Sequence, residues 1–176
     1  MRKTNKIKAL AMCAVAVVVG IVGAEYGDKI RTGERGLNLI GNAEGCARNP
    51  YHCPGDVLTF GIGSTEASGG KIENRSYSDQ EIAERWVKDL QIAEQCVNRY
   101  GNGRKMPQGA FEAMTSLTFN VGCGAMQKST LFKLANRGYT QQMCDQFSRW
   151  VYAGGKRLKG LEIRREKERD LCLQVN

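Results

Sequence analysis

Glu44 is the residue of this chain best placed to do chemistry. It opens the series Glu44-(x8)-Cys53-(x5)-Thr59, and Phe60-Gly61-Ile62-Gly63 follows directly. A carboxylic acid in a partly apolar cleft has its pKa raised and can serve as a general acid. A lone glutamate is ordinarily a solvated charge, so it is the series that sets this one apart. The second chemistry is sulfur. Seven cysteines occur, at 13, 46, 53, 96, 123, 144 and 172. An odd count in a chain with an export signal leaves one thiol over, or implies pairs that exchange.

His52, the one histidine, stands beside Cys53. Neighbours on an extended segment point to opposite faces, which argues against a Cys-His dyad. No Cys-x-x-Cys or His-x-x-x-His spacing occurs, so no metal site is expected, and nothing in the sequence calls for a cofactor. His52 reads as an exposed loop residue.

At 176 residues the chain suits one domain, with 41% hydrophobic and 25% charged residues. The net charge of +8 favours an anionic partner such as a membrane surface or a cell-wall polymer, although basic residues spread for solubility would give the same count. Nucleic acid is not expected, because the chain carries an export pattern. Arg2, Lys3, Lys6 and Lys8 precede an uncharged run from Ala9 to Ala24, and no acid occurs before Glu25. Sixteen helical residues span roughly 24 Å against a hydrocarbon core of about 30 Å. The run is mostly Ala, Val and Gly and includes Cys13. Val22-Gly23-Ala24 could be cut by signal peptidase, but a cysteine in a discarded segment has no evident use. Residues 1–27 are therefore read as a weak, uncleaved signal-anchor able to leave the bilayer, and residues 28–176 as the catalytic domain.

The elements that must position Glu44 follow from periodicity. Residues 28–45 alternate with helical spacing, interrupted by Gly33, Gly36 and Gly41. Asn49-Pro50 and Pro54-Gly55 mark turns, and Val57 to Ile62 reads as a strand, so Cys46 to Ile62 is expected to form a hairpin region. Ser78 with Glu81 forms a capping box that opens a long helix to about Arg99, with Ile82, Trp86, Leu90, Ala93 and Val97 as its buried stripe. Further helices are expected up to Asn120, from Ser129 to Asn136, from Thr140 to Tyr152 and from Leu161 to Leu173, with a turn at Gly154-Gly155. The fold class is α+β, mainly helical: a small hairpin lobe, a long connecting helix and a larger helical lobe. A cleft between the lobes is the expected seat of a polymeric substrate.

The series resembles the phage-type lysozymes, endolysins whose motif is a Glu, an Asp nine residues on, a Thr six further, then Ile/Phe-Gly-x-Gly. Glu44, Thr59, Gly61 and Gly63 fit it. The resemblance continues through Phe119-Asn120-Val121-Gly122, Trp150, Ala153-Gly154-Gly155-Lys156 and Gly160-Leu161, then Arg164-Arg165 and Glu168. The departure is Cys53 at the Asp position, since Asp56 stands three residues late. With Cys13 in a weak anchor, the chain is most similar to the signal-arrest-release endolysins regulated by disulfide exchange.

The resemblance implies a lysozyme-like two-lobe fold and inverting hydrolysis of the β-1,4 bond between N-acetylmuramic acid and N-acetylglucosamine. Glu44 would protonate the leaving oxygen, while Thr59 and Cys53 would hold and activate the attacking water. Arg164 or Arg165 would brace Glu44. A thiol is a poorer base than a carboxylate unless its pKa is depressed, yet a thiol can be stored in a disulfide. A Cys46–Cys53 bond would cage the enzyme, and attack on Cys46 by the Cys13 thiolate after release would free Cys53. Cys96, Cys123, Cys144 and Cys172 would form two structural bridges; Cys96–Cys172 with Cys123–Cys144 is the expected arrangement. The implied partner is peptidoglycan, met by a monomer. The protein would lie in the host inner membrane facing the periplasm while inactive, and be soluble in the periplasm when active. The competing readings are a lytic transglycosylase on the same bond and a non-enzymatic, basic wall-binding module.

Overall fold

The apolar N-terminal run enters the fold as a packed helix. The structure is a computed structural model describing residues 11–53 and 55–175. The basic flank, the start of the apolar run at Ala9 and Leu10, and Pro54 lie outside the described residues. Ala11 to Cys13 runs beside the hairpin: Arg48 N donates to Ala11 O at 2.8 Å and Cys13 N to Cys46 O at 3.3 Å. Helix α1 (Val15–Tyr26) follows and buries Val18, Val19 and Val22. They pack in one apolar cluster with residues of α2 (Glu34–Glu44) and α3 (Asp79–Tyr100), and each such burial contributes about 1.5 kcal/mol. Val17 stays 49% exposed on the outer face. Among the described residues no helix is long and apolar enough to cross a membrane.

The expected helix over residues 28–45 begins six residues late, at Glu34. The amides of Arg31, Thr32 and Gly33 are engaged by carboxylates of other elements instead of by a helical ladder. Leu37 and Ile40 are the buried members of α2. After Gly45, strand β1 (Ala47–His52) pairs antiparallel with β2 (Leu58–Gly61), with Tyr51 opposite Thr59. A third strand, β3 (Ser64–Thr65), adds to β2; two residues are too few to show a period of two in the sequence. His52 ends β1 rather than lying in a loop. It is exposed, and its Nδ1 lies 3.0 Å from Asp56 Oδ1.

The capping box at Ser78 and Glu81 is present and opens α3, which extends over about 33 Å. Its first half sends Ile82, Trp86 and Leu90 into the small-lobe core, and its second sends Cys96 and Val97 into the large-lobe core. The large lobe surrounds α4 (Gln108–Val121), whose Phe111, Met114 and Leu117 are buried. Short helices α5 (Cys123–Gln127), α6 (Thr130–Ala135) and α7 (Gln141–Asp145) follow. The expected helix to Tyr152 stops at Asp145 and continues as a 3₁₀ segment to Arg149. Strands β4 (Tyr152–Ala153) and β5 (Lys156–Arg157) close around Gly154-Gly155, and α8 (Lys159–Cys172) returns across α4. The chain is thus mainly helical α+β, with the two-lobe arrangement expected of it.

The structural bridges differ from the expected pairing. Cys96 bonds Cys123 and Cys144 bonds Cys172, with Cα separations of 5.8 and 5.7 Å. The reason is topological: α5 turns back onto α3, while α7 lies against the end of α8, so the four cysteines pair off in chain order. Each bridge closes a loop of similar length, with sequence separations of 27 and 28. Replacing Cys144 and Cys172 together by Ser is expected to lower the unfolding free energy by about 3 kcal/mol. Urea titration of the folded protein measures this as a lower midpoint, with a slope that rises as the unfolded chain loses its cross-link.

Candidate active site

Glu44 is the last residue of α2, directly ahead of the positive-φ turn at Gly45. Its side chain is 21% exposed, and Arg164 Nη1 donates to its Oε1 at 2.7 Å. Oε2 faces the other way: a Cβ built on Gly63 would stand 3.3 Å from it and 3.5 Å from Phe119 Cε1. Gly63 also has φ +72°, a conformation side chains disfavour. The Gly-x-Gly pair is therefore a close-approach device. Gly63 admits the acid, and Gly61 at φ +59° would otherwise press on Ile82 of α3.

The acid stands where two hollows meet. One, of about 430 Å³, is lined by Glu44, Gly63, Thr65, Asp89, Phe119 and Asn120. The other, of about 670 Å³, runs between α2 and α8 past Asn42, Leu161 and Lys167. Together they form the cleft between the lobes. In the first hollow Asp89 is buried, accepting a hydrogen bond from Ser64 Oγ at 2.5 Å, and burial pushes its carboxyl above the ordinary range.

Behind Glu44 lies a buried charge network. Arg164 Nε also donates to Glu168 Oε1 at 3.1 Å, and Ser116 Oγ donates to the same oxygen at 2.6 Å. Arg165 bonds the other oxygen of Glu168 and the side chain of Asn120, and its Nε reaches Trp150 O at 3.1 Å. Glu168 and Arg165 are almost fully buried, at 0% and 1% exposure. Burial pushes the Glu168 carboxyl up, opposed by the two guanidinium groups. Of the two arginines it is Arg164 that touches Glu44, while Arg165 braces the network from behind. Ser116 carried no signal in the sequence, and Asn120 stood out only as part of the Phe119-Asn120-Val121-Gly122 match, with no role given to it.

The hairpin that follows α2 brings Cys53, Thr59 and Tyr51 together. Thr59 is buried, and its Oγ1 donates to Val57 O at 3.0 Å. Cys53 follows β1, partly exposed and outside any disulfide. Backbone hydrogen bonding from the Val57 turn, then from Gly55, with Thr59 assisting, holds its thiol below the ordinary value. Tyr51, which the sequence did not single out, stands near both reactive groups. Burial first, then the charges of Glu44 and Cys53, push its phenol up. Cys46, two residues beyond Glu44, is bonded to Cys13, with a Cα separation of 5.2 Å. The structure thus places Glu44 and Arg164 on the cleft, sets Cys53 and Thr59 on the neighbouring hairpin, and bonds Cys46, two residues beyond the acid, to Cys13. His52 points away with Asp56. Among the described residues no cluster of three or more His, Cys, Asp or Glu is arranged for a metal ion.

The sequence profile of the phage lysozyme family matches residues 41–168. The chain is 43% identical over 174 residues to an SAR-endolysin of Escherichia phage P1, covering 93% of this chain and 91% of that one. The fold superposes on the crystal structure of the active form of the P1 phage endolysin with a TM-score of 0.85 at 43% identity, covering 94% of this chain and 96% of that one. The secreted inactive form of the same endolysin gives a TM-score of 0.57 at 41% identity, covering 81% and 95%.

The hydrogen bonds at Cys53 favour its thiolate, so the reactive fraction at a given pH exceeds that of an unperturbed thiol. The rate of iodoacetamide labelling at Cys53 is expected to rise with pH through a midpoint below that of free cysteine. Peptide mass mapping across a pH series measures it.

Proposed function

The chain belongs to the phage lysozyme family, and on that premise we propose how its residues divide the work of an SAR-type endolysin. The protein is a peptidoglycan-degrading muramidase of that kind. Glu44 is the general acid. Its Oε1 is tied to Arg164 while Oε2, on the Gly63 side, remains to carry the proton. Protonating the glycosidic oxygen lets the sugar leave as its anomeric carbon gains oxocarbenium character. The attacking water enters from the opposite side, where Thr59 positions it and the Cys53 thiolate accepts its proton. The product has inverted configuration. A thiol with a lowered pKa suits this role better than an ordinary one.

One observation carries the regulatory half of the reading: Cys46 is bonded to Cys13, and Cys53 is free beside the cleft. Residues 1–27 serve as the anchor, and in the membrane-held enzyme Cys46 is bonded to Cys53 instead. On release the Cys13 thiolate attacks the Cys46 sulfur, the Cys13–Cys46 bond forms and Cys53 leaves as a thiolate. No electrons are gained or lost, so exchange alone activates the enzyme. The likeness to the active form of the P1 endolysin supports assigning this conformation to the released state. Released protein acts as a monomer in the periplasm on the peptidoglycan layer.

Glu44→Gln is expected to fold normally by circular dichroism and to lose lysis of permeabilised cells by at least about a hundredfold. Mass analysis of the digest is expected to show reducing muramic ends; 1,6-anhydro ends would instead mean transglycosylation. Cys13→Ser is expected to leave the released protein inactive with Cys46–Cys53 intact on a non-reducing map. Full activity of that variant after release would sink the exchange mechanism.

A further inference from the structure

We propose that Glu94 and Glu112 are positioning residues for the reaction, two buried carboxylates that hold helix α2 by its leading backbone and so set where Glu44 stands. The proposal rests on the reading of Glu44 as the acid. Helix α2 has Gly33 at its N-cap and no side-chain cap of its own. The amides of a helix start need partners, and here other elements supply them one residue earlier. Arg31 N donates to Glu94 Oε1 and Oε2 at 2.9 and 3.1 Å. Thr32 donates to Glu94 Oε1 through its N and its Oγ1, each at 2.6 Å. Gly33 N donates to Glu112 Oε1 at 2.9 Å.

Glu94 is 7% exposed and Glu112 1%. Withdrawing two carboxylates from water is costly unless they are fully engaged. A Cβ at position 33 would stand 2.9 Å from Glu112 Oε1, so the carboxylate occupies the space that a local capping side chain would need. What the buried pair adds is geometry. Glu94 comes from the connecting helix α3 and Glu112 from the central helix α4, so the start of α2 is tied to two elements at once.

The surroundings leave little slack. The Arg31 guanidinium donates to Gly103 O at 2.8 Å, Met106 O at 2.7 Å and Gln108 Oε1 at 3.1 Å. Gln108 Nε2 in turn donates to Arg31 O and to Glu112 Oε1, each at 2.8 Å. A Cβ on Gly36 would come within 2.6 Å of Thr32 Cγ2 and 3.0 Å of Glu112 Cβ, so the first turn of α2 lies directly on Glu112. Neither glutamate lines the hollows beside Glu44, so neither acts on the chemistry by direct contact. The helix is a lever of 11 residues, about 16 Å long, so a tilt of about 4° at the clamp moves Glu44 by about 1 Å. Displacements of that size can cost up to about a hundredfold in rate.

The test uses the full chain in its released form, acting on soluble peptidoglycan oligosaccharides. Variants Glu94→Gln, Glu112→Gln and Thr32→Val are each made alone and combined with Arg164→Lys, with Glu44→Gln as the control. Thr32→Val deletes one donor and leaves both carboxylates, so it answers the question even where a glutamate variant fails to fold. Each folded variant is expected to lower kcat about tenfold with KM unchanged. The loss should shrink in the Arg164→Lys background, because both changes act on the position of one group. Unchanged kcat in the folded variants, a rise in KM alone, or losses that multiply in full would each overturn the proposal. If Glu44→Gln itself stays active, the acid assignment has failed; if it is dead while the clamp variants keep wild-type kcat, only the clamp has.

Discussion

The site depends on a charge network that closes only when Glu44 joins it. Arg164 and Arg165 share the buried Glu168, and two cations with one anion would leave a net positive charge in a region sealed from water. Glu44 closes the network by accepting from Arg164 on Oε1, with Oε2 left for the proton it would give as the acid. Buried ion pairs are poor stabilisers in themselves, because desolvation offsets most of the attraction. Their value lies in the cost of any other arrangement. That cost fixes α8 against α4 through Ser116 and holds the end of α2 against α8, and it is the reason a flexible acid keeps one orientation in an open cleft.

The proposed second reactive group is the Cys53 sulfur, at the position where the phage-type lysozyme motif has an Asp. A carboxylate is available whenever it is ionised, whereas a thiol can be withdrawn into a covalent bond and returned. The hairpin serves both demands. Its turn supplies the hydrogen bonds that favour the thiolate at Cys53, and its first strand starts at Ala47, directly after Cys46. The proposed bond exchange at Cys46 would therefore act within two residues of Glu44 and on Cys53 together.

Much of this was legible in the sequence because the signals were local. The Ser78–Glu81 box marked the start of α3, the Glu44/Thr59/Gly-x-Gly order marked the acid and its hairpin, and the stripe through Ile82, Trp86 and Leu90 marked the small-lobe core. What escaped depended on contacts far apart in the chain. The late start of α2 is set by carboxylates 62 to 79 residues away, which no window of periodicity contains. The choice of Arg164 over Arg165 is a matter of helical phase in α8 relative to α2. The cysteine pairs follow from which short helix folds back on which long one, and spacing alone is silent on that. Tyr51 became visible only once the strands were in register with Thr59.

Helix α1 obeys two solvents. Its 12 residues must be apolar enough to enter a bilayer and small enough to dock, since Gly41 of α2 leaves no room beside Val15: a Cβ there would stand 2.5 Å from Val15 Cγ1. Larger aliphatics would deepen its hold on lipid and overfill its seat on the enzyme, while polar residues would do the reverse. For an enzyme that leaves the membrane as proposed, the dwell time there and the stability of the freed protein are then written in the same side chains. On that reading, any change in the time of release must pass through the packing of the folded enzyme, at the close approach of Gly41 to Val15.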